Sequence, residues 1–451
     1  MKGKTVHIIS LGCPKNLVDS EVMGAALERA GFRLIDREAD AEIILLNTCA
    51  FILPAKEESI GEILRLARWK TLGTCAYLVV AGCLPQRYGE EISRELPEVD
   101  LFVGTDEVGR IAEYVARLAT AAPPPERCLV HKPTFLMTAA HPRRLSTPFH
   151  TAYLKIADGC ANRCSYCVIP FIRGKARSRS LEDILQEAAG LVAGGVRELI
   201  VTAQDTTAYG RDLPGKPTLQ ELLQALVTIP DLRWLRLLYT YPAALTDDIL
   251  RTIAAEEKIC PYLDIPIQHI DDEILRLMKR RGDSRTIRNL IDRARNIVPG
   301  IALRTSLIVG FPGETPQRFQ KLLHLIREAR FDHLGAFRYS PEEGTEARAL
   351  PGQVSERTKE KRTSRVMEVQ ARVSEQINQS LIDSVQEVLI EGPSDLPEYP
   401  YMGRSCRQSP DIDGVTYLTG ENLKPGEFVY VRIQSADEYD LFGTVVTAES
   451  A

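Results

Sequence analysis

Short apolar runs alternating with amphipathic segments constrain this 451-residue chain more than any other feature. Residues 6–11, 43–47 and 78–81 read as buried parallel strands, with amphipathic helices at 19–30 and 57–67. That alternation predicts a parallel α/β sheet domain over 1–122. A Pro-rich stretch from Ala121 opens an irregular linker, 123–147. The alternation then resumes. A strand at 153–157 and a helix at 181–193 precede strand patterns at 198–202, 234–238, 262–265, 303–309 and 333–337. About six βα units over 148–380 predict a full or partial TIM-type barrel with its chemistry at the C-terminal strand ends. Val366, Val369, Val373, Ile377 and Leu381 recur at helical spacing, so a long helix packs on the barrel and leaves it. Over 384–451 the pattern changes to strand-like runs at 386–391, 415–418, 428–433 and 441–446, separated by Gly, Pro and Asp turns. This predicts a small all-β barrel.

Cys160, Cys164 and Cys167 stand in Asp-Gly-Cys-Ala-Asn-Arg-Cys-Ser-Tyr-Cys, a C-x3-C-x2-C triplet at the end of the first barrel strand. Three thiolates so close can hold three irons of a 4Fe–4S cluster and leave the fourth iron open for a substrate. An electron-transfer cluster is normally closed by a fourth Cys. The spacing also misses the C-x2-C pairs of a zinc ribbon and the C-x2-C-x2-C of bacterial ferredoxins.

Cys13, Cys49 and Cys83 each follow a predicted strand of the first domain. Ligands of an open parallel sheet gather outside the carboxyl ends of its strands, so three Cys far apart in sequence can converge there. A lone Cys more often behaves as a small buried hydrophobe. Cys75, Cys128, Cys260 and Cys406 lack such partners and read as structural thiols.

Composition excludes several classes. No apolar run of about 18 residues occurs and no apolar stretch follows the first residues, so neither a membrane span nor a signal peptide is expected. Ten Cys in such a chain suit the reducing cytoplasm and metal chemistry better than a disulfide scaffold. Charge is uneven. Residues 384–451 hold four Lys/Arg and twelve Asp/Glu, or −8, so the rest carries −5 − (−8) = +3.

Taken in order, the spread Cys trio, the C-x3-C-x2-C triplet with Tyr166 before its last Cys, and the terminal β-barrel resemble the methylthiotransferases of the radical S-adenosylmethionine (SAM) superfamily. The resemblance covers essentially the whole chain, with the terminal barrel as a TRAM domain. Two branches of that family modify tRNA adenosine derivatives and a third modifies an aspartate of a small-subunit ribosomal protein. Gly12-Cys13-Pro14-Lys15-Asn16 resembles the third branch, where the tRNA enzymes more often show Gly-Cys-Gln-Met-Asn. So do Asn47-Thr48-Cys49-Ala50-Phe51-Ile52, Ala55-Lys56-Glu57-Glu58-Ser59 and Gln204-Asp205-Thr206-Thr207. The acidic tail points the same way: it repels RNA phosphates, making tRNA the disfavoured acceptor, and attracts a basic ribosomal protein; the alternative is that these residues merely solvate a small domain.

The resemblance implies two 4Fe–4S clusters and SAM as cofactors. Cys160, Cys164 and Cys167 would hold the cluster that cleaves SAM to a 5′-deoxyadenosyl radical, which takes hydrogen from the aspartate β-carbon. Cys13, Cys49 and Cys83 would hold an auxiliary cluster that delivers a sulfur methylated by a second SAM. An external electron donor and a sulfur source are implied with them, and no catalytic residue beyond the ligands is assigned. Tyr166, Gln204, Arg304, Gly310, Pro312 and Gly313 are the candidate SAM contacts. A structural ion pair is the alternative for Arg304. For the glycines it is an ordinary strand-to-helix turn, with Glu314 in the first helical turn. His269 reads as a satisfied structural histidine, with catalysis as the alternative, and Arg173, Lys175, Arg177 and Arg179 as an active-site rim or a solvated loop. Besides the tRNA enzyme, the competing reading is a non-enzymatic Fe–S carrier, against which two incompletely ligated sites argue.

Overall fold

Strands built from Val, Ile and Leu on both faces must be covered on both sides, and this decides the N-terminal architecture. The computed structural model describes residues 3–118 and 126–447. Strands β1 (Thr5–Ser10), β2 (Arg33–Leu34), β3 (Ile43–Thr48), β4 (Tyr77–Gly82), β5 (Leu101–Val103) and β6 (Cys128–Leu129) form one parallel sheet in the order β2-β1-β3-β4-β5-β6. The chain reverses its direction of growth between β1 and β3, so a topological switch point lies there. The helices Pro14–Arg29 and Leu53–Ala67 follow β1 and β3.

A second parallel sheet carries β7 (Thr151–Lys155), β10 (Glu198–Thr202), β11 (Trp234–Leu237), β12 (Ile259–Asp264), β13 (Ala302–Val309) and β14 (His333–Arg338) in sequential order. A short antiparallel pair, β8 (Ala157–Asp158) with β9 (Arg177–Ser178), brackets the Cys triplet. The six-stranded sheet leaves β7 and β14 as free edges, so the barrel is partial. Leu154, Val201, Leu237, Leu263 and Leu307 face the outer helices in one apolar core. Tyr153, Ile200, Trp234 and Tyr262 face inward and share a cluster with the N-terminal domain. The helix Glu356–Gln379 buries Val366, Val369 and Val373 against this barrel.

The C-terminal strands β15 (Val385–Pro393), β16 (Tyr401–Ser405), β17 (Thr416–Thr419), β18 (Phe428–Ala436) and β19 (Leu441–Val446) close into a barrel around Val388, Ile390, Leu418, Val431 and Ile433. It seals the N-terminal strand ends of the central barrel. Glu198, at the start of β10, takes Arg404 at 2.6 Å and Arg236 at 2.8 Å, and Trp234 packs edge-on against Phe428.

The N-terminal domain is fastened at both free edges of the partial barrel. Beside β7, Lys155 pairs with Asp19 and Arg143 with Glu21. Beyond β14, the buried Glu342 takes Lys56 at 2.9 Å and Arg87 at 2.7 Å, while Tyr88 donates to Glu343.

The opening of the expected linker, at 121–125, lies outside the described residues. The remainder is largely without regular secondary structure yet packed as a strap: Cys128–Leu129 extends the first sheet, and Phe135 and Met137 join its core. One expectation changes here. Glu314 is not in a helical turn. Its helix starts at Pro316, and Glu314 is buried between Arg362 at 2.6 Å and His269 at 3.2 Å.

Candidate active site

Parallel β-strands deliver their following residues to one edge of a sheet, and all six singled-out Cys arrive that way. Cys13 ends the turn after β1 and caps the helix Pro14–Arg29, Cys49 follows β3, and Cys83 follows β4 at the start of the short helix Cys83–Tyr88. Cys13 and Cys49 therefore flank the switch point. Gly12 (φ +93°) makes this possible, because a Cβ there would come within 2.7 Å of the Cys49 Cβ. Burial pushes the Cys49 thiol up to about 12, and the Cys83 and Cys13 thiols push the same way. These three groups crowd one another.

The central triplet is built locally. The Cys160 amide donates to the Gly174 carbonyl at 3.1 Å, and Ser165 donates to the carbonyls of Met278 and Leu277. Gly159 (φ +79°) has no room for a side chain, since a Cβ would strike the Lys175 carbonyl. Tyr166 packs edge-on against Phe311. Burial, then Cys164, pushes Cys167 up to about 12. All ten Cys are free thiols, and among the described residues no three His, Cys, Asp or Glu side chains close around a single ion.

Arg173 links Cys83 to Asp158, on the segment leading into the central triplet. It is buried, and its guanidinium reaches Asp19 at 2.6 Å, Asp158 at 3.2 Å, Asn16, and the Cys83 sulfur at 3.7 Å. Asp158 lies two residues before Cys160 and also pairs with Lys155. Burial alone would raise the Asp158 carboxyl, but Lys155 and Arg173 outweigh it and hold the group well below the carboxylate range. One fully buried network thus spans the two domains.

Gln204 joins this network, its Nε2 donating to Asp158 at 2.9 Å, while its Oε1 is buried without a partner. Arg304 pairs with Asp264 at 2.9 Å inside the barrel, the ion-pair role set against a SAM contact. Gly310, Pro312 and Gly313 follow β13, and Phe311 between them touches Tyr166. A Cβ on Gly310 would run into the Lys359 side chain, so helix packing alone requires that glycine. His269 is buried with both ring nitrogens occupied, by Asp271 and Glu314. Arg173 and Arg179 form no exposed rim: Arg179 is buried against Asp183 and Glu187.

Sequence reasoning missed Lys15, Asp19, Lys155 and Asp158. A signal was present: Lys155 interrupts an apolar strand, and Asp19 and Glu21 lie on the buried side of their helix.

Comparison with known proteins is consistent with this geometry. Residues 5–104 match a family described as Uncharacterized protein family UPF0004, residues 154–326 the Radical SAM superfamily, and residues 382–446 the TRAM domain. The ribosomal protein uS12 methylthiotransferase RimO of Syntrophus aciditrophicus is 61% identical over 99% of this chain and all of that protein. Its namesake in Geobacter sulfurreducens is 52% identical over 98% of each. Among solved structures, the radical SAM methyltransferase TsrM of Kitasatospora setae, with cobalamin and a [4Fe-4S] cluster bound, overlaps with a TM-score of 0.56. It covers 77% of each chain at 17% identity, a likeness of fold alone.

Proposed function

Because the chain belongs to the RimO family of radical SAM methylthiotransferases, we propose that it inserts a methylthio group at the β-carbon of an aspartate of ribosomal protein uS12. It is a methylthiotransferase that uses an Fe–S cluster and SAM. The observation that carries the finer reading is the single buried network in which Arg173 touches Cys83 on one side and Asp158, beside the Cys160 loop, on the other.

Cys160, Cys164 and Cys167 would hold the cluster that binds SAM, and Cys13, Cys49 and Cys83 a second 4Fe–4S cluster. A four-iron cluster spreads its thiolates over separate corners, which suits trios that do not close around one ion. Thiols pushed as high as Cys49 and Cys167 ionise only when a metal takes the proton's place. When bound, these groups supply hydrogen abstraction from an unactivated carbon and the sulfur and methyl that replace it.

The chain's own residues position and enclose. Gln204 has a free buried acceptor, Oε1, suited to the ammonium of SAM's methionine. Tyr166 packs on Phe311, and Pro312 and Gly313 after it would line the bound SAM. Arg173, Lys155, Asp19 and Asp158 fix the spacing between trios. An external one-electron donor and a renewable sulfur source complete the requirements.

The terminal barrel suits a basic protein better than RNA. Of its four cations, Arg404 and Arg407 turn inward onto Glu198 and Asp332. Asp395, Glu398, Glu421, Glu427, Asp437 and Glu438 remain exposed. Incubation of the cluster-reconstituted enzyme with SAM, reductant and either uS12 or tRNA tests the reading by mass spectrometry. A sulfur-plus-methyl increment on one aspartate-containing uS12 peptide is expected. Methylthiolated tRNA with unmodified uS12 would reject it.

A further inference from the structure

The turns that carry Cys13, Cys49 and Cys83 have little side-chain packing to hold them. Gly12 and Gly82 stand directly before two of these Cys, both at positive φ, and a Cβ on Gly82 would come within 2.8 Å of the Thr48 carbonyl. The three segments therefore meet backbone to backbone, and polar bonds must set their spacing. Thiols that ionise together on metal binding also repel one another, which spreads loosely held loops.

Asn16 supplies those bonds. It is fully buried in the first turn of the helix Pro14–Arg29, where an Asn normally spends its side chain on the nearby helix backbone. Here it reaches out of the helix. Nδ2 donates to the Leu11 carbonyl at 3.1 Å, two residues before Cys13, and to the Thr48 carbonyl at 2.9 Å, next to Cys49. Both amide protons are thereby used. Oδ1 accepts from Arg173 and lies 3.5 Å from the Cys83 sulfur. Thr48 carries the tie to the third turn. Its hydroxyl donates to the Ala81 carbonyl at 2.7 Å and accepts from the Leu84 amide at 3.3 Å, on either side of Gly82 and Cys83. Asn47 pins the clamp from behind, its Nδ2 donating to the Asn16 carbonyl at 2.8 Å. The bonds to carbonyls, amide and guanidinium involve no thiol, so they do not depend on whether the trio holds metal.

We propose that Asn16, acting with Thr48, is the positioning residue of the first trio, fixing the spacing of the three turns so that the second cluster assembles there. This rests on the reading above that Cys13, Cys49 and Cys83 hold a cluster.

The test measures iron content and the electron paramagnetic resonance signals of the reduced, reconstituted full-length enzyme, with the denaturant midpoint of the metal-free chain beside them. Wild type should bind about eight irons and Asn16→Ala about four, with the signal of the Cys160 cluster kept and SAM cleavage within about twofold. Thr48→Val, which keeps the shape of the side chain, should show an intermediate iron content and an altered second signal. Val22→Ala, on the buried face of the same helix, should lower the midpoint yet keep about eight irons. An Asn16→Ala enzyme with about eight irons and the wild-type signals overturns the proposal. So does a Val22→Ala enzyme that loses iron in step with its stability, since general loosening would then suffice. Should Asn16→Ala fail to fold, Thr48→Val decides, and wild-type iron and signals in that variant overturn the clamp. A wild type that binds only about four irons rejects the second cluster itself.

Discussion

Both ends of the central barrel are closed by another domain, and both closures rest on buried charge, yet the two are built differently. At the lower end Arg236 and Arg404 share Glu198, and Arg404 also takes Glu391. Each cation there has its anion, and the terminal barrel is simply seated. At the upper end the matched set of Lys155, Arg173, Asp19 and Asp158 also reaches a thiol, with Arg173 touching the Cys83 sulfur. Buried ion pairs across a boundary therefore mark a junction. A paired network that also reaches a sulfur marks a site.

The largest effects should come from the thiols. Cys164→Ala should cut reductive SAM cleavage by about a thousandfold or more and leave about four irons per chain where wild type holds about eight. Cys83→Ala should also leave about four irons but keep SAM cleavage within a few-fold while forming no carbon–sulfur bond. Methylthiolation by Cys83→Ala would remove the distinction between the trios. Next comes the junction. Arg173→Met leaves Asp19 and Asp158 with a single cation between them, and should cost about 3–5 kcal/mol in denaturant unfolding. A loss below about 1 kcal/mol would mean that the network is solvated.

The smallest effect belongs to the lower end. Burial would raise the Glu198 carboxyl, but Arg404 and Arg236 outweigh it and hold it at about 2, against 4.5 unperturbed. A depressed carboxyl contributes stability at neutral pH that is lost as pH falls from about 4.5 toward 2, here on the order of 3 kcal/mol. Unfolding midpoints followed down that range should fall in wild type and flatten in Glu198→Gln. Parallel curves for the two proteins would show that other carboxylates carry the acid sensitivity.

Much of this was legible in the chain, and the exceptions share a cause. The Cys160 triplet is written in one loop and both sheets in their apolar runs. The Cys13 trio needed only the rule that ligands gather at parallel strand ends. Pro and polar residues after residue 126 conceal that Phe135 and Met137 pack into the core of the first domain. Strand Tyr401–Ser405 went unseen because Gly403 and the buried Arg404 break the expected alternation. The pairing of the charge network was hidden for a different reason, although Lys155 stands out in its apolar strand. Asp19 meets Lys155 and Arg173 from 136 and 154 residues away, and no local pattern encodes such a meeting.

The two fastenings of the N-terminal domain carry one last consequence. A cover pinned along a single side can swing, but one pinned at opposite rims must shear one of them before it tilts. The ties at Lys155 and at Glu342 occupy opposite rims. The span between the two thiol sets is then a fixed dimension of the scaffold, like the gauge of a track, and a visiting polypeptide must fit that gauge because the enzyme does not adjust it.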